Sequence, residues 1–174
     1  AQTNAAPLYT LGQDFDYAVH PDTTWTWAGG NAFVNYEIAG LRSSRASLVQ
    51  QENDSLSIAA IKLLQKDGFK VSEQQICQGL AGVKWPGRME CFDQEYISTT
   101  ADDKVRNSRK VLRYLLAGAH NTDGVKNLAR TLREKFQYKK LVGVWGAMVD
   151  KDLAATLDLM APLVDELIIT QPDG

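Results

Sequence analysis

The chain has little cysteine, two residues in 174, and that excludes a disulfide framework. Cys77 falls in an expected helix and Cys91 in an expected strand, which reads as two buried thiols in a reducing compartment. It has no excess of either charge, with 19 Lys and Arg against 21 Asp and Glu. The phosphate backbone of a nucleic acid calls for a basic surplus, so nucleic acid is excluded as a partner. No apolar run approaches the roughly 20 residues that span a bilayer, which argues against a membrane segment. There is no GxxxxGK[ST] loop, no GxGxxG turn, no spaced metal-ligand cluster and no nucleophile signature, so a self-contained catalytic site is missing. Together these absences leave a cytoplasmic globular protein.

What is present suffices for a packed core, since 44% of the residues are hydrophobic. The chain begins at Ala1 without methionine and ends in a strand-like run, "LIITQPDG". Both ends are expected to continue in a longer protein. Residues 7–40 carry short β-prone runs, "PLYTL", "FDYAV", "TWTWAG" and "AFVNYEI", divided by turn residues, as in a meander or part of a mixed sheet. "DSLSIAAIKLLQKDG" then spaces its apolar residues for a helix ending near Gly68. "VSEQQICQGLAGV" announces a second, in which Ser72 caps and Gln75 completes a capping box.

Trp85-Pro86-Gly87-Arg88 forms a rigid turn, and a domain boundary is expected near residue 86. Beyond it the pattern is β, then β-α-β-α-β: "RMECFD", "VLRYLLA", a helix over about 122–136, "LVGVWGA", a helix over 150–160, and "ELIIT". Strands alternating with helices of that length predict a parallel sheet that includes 111–116, 141–146 and 166–170. The intervening "STTADDKVRNSRK" reads as a polar loop.

In open parallel sheets ligands bind beyond the carboxyl ends of the strands. "AGAHNTDG" and "GAMVDKD" both fall at such ends, which puts His120, Asn121, Asp150, Lys151 and Asp152 on one rim if the two strands are neighbours. His120 stands where a turn meets a helix N-terminus, a natural anion site. It reads equally well as a turn histidine satisfied by backbone. Arg88, on its turn, suits a phosphate or an interdomain salt bridge. Asn53 reads most simply as a helix N-cap, and Lys151 with its flanking aspartates as a capped helix start with a solvated lysine.

The order of the stretches is more specific than any one of them. "QEN…AA…L", "WPGR", a strand into "AGAHN", a strand into "GAMVDKD" and "MAPLVDELIIT" together resemble the dihydrofolate synthase/folylpolyglutamate synthase family, part of the Mur ligase superfamily. "APLYTLGQDFDY" near the start is also typical. Family members combine an ATPase domain bearing a P-loop with a Rossmann-like C-terminal domain, and their active site lies in the cleft between them. The resemblance implies an α/β chain whose residues 1–86 are the C-terminal part of the ATPase domain, β-strands plus two helices. Residues 87–174 would be the first part of an incomplete Rossmann-like domain with a parallel sheet.

The function so implied is ATP-dependent addition of L-glutamate to dihydropteroate, folates or both, through an acyl phosphate, in folate biosynthesis and one-carbon metabolism. ATP and Mg2+ are the implied cofactors. The magnesium ligands, the P-loop and the family's modified lysine would lie upstream of Ala1, so this stretch alone is expected to be inactive. The complete protein is expected to be a monomer. By position, Asn53 matches the asparagine near adenine, Arg88 the arginine near the ATP phosphates, and His120 with Asn121 the nucleotide-facing turn. Lys151 matches the residue holding the incoming amino acid's carboxylate. Ala117 departs from the pattern, because the family has an aspartate there that contacts ATP. Two other readings are a Mur-type peptidoglycan ligase and a non-catalytic nucleotide-binding or interaction domain.

Overall fold

The computed structural model describes residues 6–44, 47–97, 109–146 and 153–170. The chain divides into two compact units, residues 1–84 and 85–174.

In the first unit, β1 (Phe15–Val19), β2 (Trp25–Gly29) and β3 (Glu37–Leu41) form an antiparallel meander in that order. Trp25 and Trp27, two residues apart on β2, point to one face and are both fully buried. β3 puts Ile38 and Leu41 on the same covered face although they are three apart, because the register shifts between Trp25 and Trp27. Gly40, at φ +69, supplies the left-handed residue this bulge needs. The "AFVNYEI" run is strand only at its end, since Asn31–Phe33 is a 3-10 turn. "PLYTL" contributes no strand beyond an isolated bridge from Leu11 to Phe15.

Helices α1 (Gln50–Lys66) and α2 (Glu73–Gly82) cover the tryptophans with Ile58, Ala59 and Ile76. The indole Nε1 of Trp27 donates to the Ser55 carbonyl of α1 at 3.2 Å. Burying side chains of this size stabilises by about 1.5–3 kcal/mol each. The capping box of α2 is present in both halves, Gln75 N–H to Ser72 Oγ and Ser72 N–H to Gln75 Oε1.

In the second unit, β4 (Glu90–Ile97) and β5 (Arg109–Leu116) pair antiparallel over eight residues. One face of this ribbon stacks Phe92 on Tyr114, with ring centroids 5.0 Å apart. On the other face Arg113 grips Asp93 through two parallel bonds of 2.8 and 2.9 Å. Helix α3 (Thr122–Lys135) follows, then β6 (Val142–Trp145), α4 (Leu153–Met160) and β7 (Glu166–Ile169). β6 and β7 pair in parallel, Val142 opposite Glu166. Helix α3 buries Val125, Ala129 and Leu132, and α4 buries Thr156 and Met160.

Two expectations need correction. Segment 111–116 hydrogen-bonds antiparallel to β4, and of the strand pairs among the described residues only β6 with β7 is parallel. β4 and β5 are consecutive strands with only residues 98–108 between them, and parallel pairing needs a connection of about a dozen residues or more, so they pair antiparallel, Glu90 opposite Leu116 through to Ile97 opposite Arg109. The cysteines are both free, but Cys77 is half-buried and Cys91 lies exposed on the β4–β5 ribbon, a two-strand element too thin to enclose a side chain.

Candidate functional site

The turn at residues 85–88 closes through the Arg88 N–H, which donates to the Trp85 carbonyl at 3.2 Å. Proline in the second place and a glycine at φ +71 in the third are the type II arrangement. Glu90 returns its carboxylate to the Gly87 N–H at 2.7 Å. Met89 follows Arg88 at φ +51, a left-handed conformation that costs a non-glycine residue roughly 1–3 kcal/mol. Arg88 is thus bracketed by two left-handed residues, and its backbone direction is set before its side chain makes any contact.

That side chain crosses to the second motif. Arg88 Nη1 donates to the Gly118 carbonyl at 2.9 Å. Gly118 sits at φ +60, and a Cβ there would come within 2.7 Å of the Gly87 carbonyl oxygen and 3.0 Å of Arg88 Cδ. No other residue fits, so the "WPGR" and "AGAHN" turns lock together through two glycines thirty-one positions apart. The same Gly118 oxygen lies 3.1 Å from His120 Nδ1. Of the two readings of His120, backbone contact therefore accounts for one ring nitrogen.

Asn121 is the N-cap of α3, its Oδ1 accepting from the Gly124 N–H at 2.8 Å. The first backbone N–H groups of a helix lack intrahelical acceptors and carry its positive end. Arg88, His120, Asn121 and this helix start thus occupy one neighbourhood. Arg88, His120 and Asn121 are exposed, and Ala117, the residue after β5, is half-buried. An exposed guanidinium beside a helix N-terminus is chemistry suited to an anion.

Asn53 belongs to the first unit. Asn53 is exposed on α1 and is not its N-cap, because the helix starts at Gln50 with Val49 in the cap position. What orders this end of α1 is the buried Asp54, which accepts from Ser43 Oγ and Gln50 Nε2, both at 2.6 Å. Lys151, Asp150 and Asp152 lie outside the described residues. Among the described residues no group of three or more His, Cys, Asp or Glu side chains could hold a metal ion. Among them, too, no helix is long and apolar enough to cross a membrane.

Sequence reasoning missed Gly118, Glu90 and Asp54. Gly118 had a signal, a glycine between two alanines in a tight turn. Glu90 and Asp54 had none, since their roles depend on which turn or strand end comes near them.

Residues 87–174 match the family described as Mur ligase, glutamate ligase domain. The chain is 31% identical over 112 residues to the dihydrofolate synthase/folylpolyglutamate synthase of Bacillus subtilis, covering 64% of this chain and 22% of that protein. It is 30% identical over 178 residues to the folylpolyglutamate synthase of Lacticaseibacillus casei, covering 98% of this chain and 38% of that protein. The structure of Escherichia coli FolC in complex with ADP superimposes with a TM-score of 0.73 at 25% identity, over 99% of this chain and 36% of that one. The chain therefore spans well under half the length of these relatives. With its motif order, its α/β architecture and its matching C-terminal half in agreement, the chain belongs to the dihydrofolate synthase/folylpolyglutamate synthase family of Mur ligases, of which it carries a C-terminal portion.

Proposed function

We propose that this chain supplies the nucleotide-facing side of an ATP-dependent ligase that adds L-glutamate to dihydropteroate, folates or both. The observation that carries the reading is the Arg88–Gly118–His120 junction beside the N-terminus of α3. A guanidinium has five N–H donors, and the bond to Gly118 uses one, which leaves a directed cation for phosphate.

In the proposed reaction the γ-phosphoryl group of ATP passes to the pterin substrate's carboxylate, forming an acyl phosphate and ADP. The glutamate amine then attacks the acyl carbon, and phosphate leaves. Charge accumulates on the transferring phosphoryl oxygens, where a preorganised arginine acts most strongly. Arg88 is given that role, His120 and Asn121 border the nucleotide, Asn53 approaches adenine and Lys151 holds the glutamate carboxylate. Residues 1–86 are assigned to the C-terminal part of the central ATPase domain and 87–174 to the start of the Rossmann-like domain. The complete protein is proposed to be a cytoplasmic, magnesium-dependent monomer.

The test is phosphate release by the full-length protein with ATP, glutamate and either dihydropteroate or a reduced folate. Release that requires all three supports the reading. Release that requires a peptidoglycan precursor in place of the pterin overturns it, and so does an absence of ADP binding.

A further inference from the structure

The Gly118 carbonyl does more than close a turn. It is a hydrogen-bond acceptor with no proton to give, and it faces His120 Nδ1 at 3.1 Å while also accepting from Arg88 Nη1 at 2.9 Å. A ring nitrogen that meets a carbonyl oxygen at this distance must carry the proton, so in a neutral imidazole the other nitrogen, Nε2, keeps its lone pair. The carbonyl is oriented by its bond from Arg88 Nη1. Gly118 is held at φ +60 against the Gly87 oxygen and the Arg88 stem, and Asn121, directly after His120, is pinned by its cap on Gly124.

We infer that the Gly118 carbonyl is a positioning group that holds His120 as the Nδ1–H tautomer with its Nε2 lone pair toward the ligand. His120 then accepts from a sugar hydroxyl of the nucleotide, and the phosphates are left to Arg88. The division follows from complementarity, because a lone pair repels a phosphate oxygen and welcomes an O–H. Its ligand half rests on the nucleotide site proposed above; its tautomer half does not.

The experiment is 15N spectroscopy of the neutral His120 ring in full-length, histidine-labelled protein, with the resonances assigned by their loss in His120→Gln. Without ligand, Nδ1 is expected to be protonated and Nε2 bare. ADP should shift Nε2 toward hydrogen-bond acceptance, and inorganic pyrophosphate should leave it where it is. A dominant Nε2–H tautomer overturns the inference, as does a pyrophosphate shift equal to that of ADP. If calorimetry finds no ADP binding while the tautomer is as stated, the nucleotide reading has failed, and the hydroxyl assignment fails with it. As a second arm, Gly118→Ala should move the tautomer population toward Nε2–H and weaken ADP binding about tenfold, the scale of one lost hydrogen bond. A Gly118→Ala protein that folds with both unchanged would also overturn it.

Discussion

Arg88 Nη1 and the Gly118 carbonyl meet at 2.9 Å across thirty positions of sequence. The bond turns a flexible side chain into a directed one, and most of the entropy of fixing a guanidinium is spent before any ligand arrives. Arg88→Ala in the complete enzyme is expected to lower kcat by about 10²–10³, the usual effect of removing one charge-stabilising donor. The KM for glutamate should change far less. Steady-state kinetics with ATP and glutamate varied in turn measures both, and an unchanged kcat would remove Arg88 from the phosphoryl-transfer step.

Ala117 follows β5 directly and precedes Gly118, so a carboxylate there would enter the same neighbourhood. Ala117→Asp should tighten ATP binding or raise kcat/KM for ATP about two- to tenfold, the worth of a neutral or charge-assisted hydrogen bond. Affinity for the pteroate substrate should stay nearly constant. Paired ATP titrations at one magnesium concentration decide it, and equal parameters would place position 117 away from the nucleotide.

Asn121 caps α3 through its Oδ1. Asn121→Ala should therefore destabilise the second unit by about 0.5–2 kcal/mol, whereas Asn121→Asp should retain most of the stability. Urea midpoints of the three proteins are the measurement. If the alanine variant is as stable as the parent, the cap contributes nothing and the residue's value lies with the ligand.

Tyr36 Oη donates to Glu73 Oε2 at 2.7 Å, and Lys62 Nζ lies 3.4 Å from the centre of the same ring. The bond to Glu73, then desolvation, raises the phenol above its ordinary value. A raised value means that the folded chain holds this proton more tightly than the unfolded chain. The contribution is fully present below the unfolded value of about 10 and is lost as pH rises through the folded one. The stability advantage over Tyr36→Phe should be constant near neutrality and shrink above about pH 10. Denaturant midpoints across that range would show it, and a gap that widens with pH would contradict it.

Local rules were readable from the chain because their partners are close in sequence. Ser72 and Gln75 satisfy each other within one helical turn, and Pro86-Gly87 specify their own turn. The helix start at Asn53 was misplaced because the residue that settles that end of α1, Asp54, is anchored partly by Ser43 from the preceding loop.

By itself, then, the sequence determined the alternation of strands and helices beyond residue 86, the capping box of α2, the turn at residues 85–88 and the run of motifs that marks the family. The tertiary structure alone decided which carbonyl Arg88 meets, why position 118 admits only glycine, which nitrogen of His120 is engaged, and that β5 pairs with β4. The contacts of Arg88 and Gly87 with Gly118 join groups thirty and thirty-one positions apart, and the β4–β5 pairs join residues 12 to 26 apart. Propensity and spacing carry information over a turn or a strand, whereas a hydrogen bond between two loops exists only after packing has closed the distance between them.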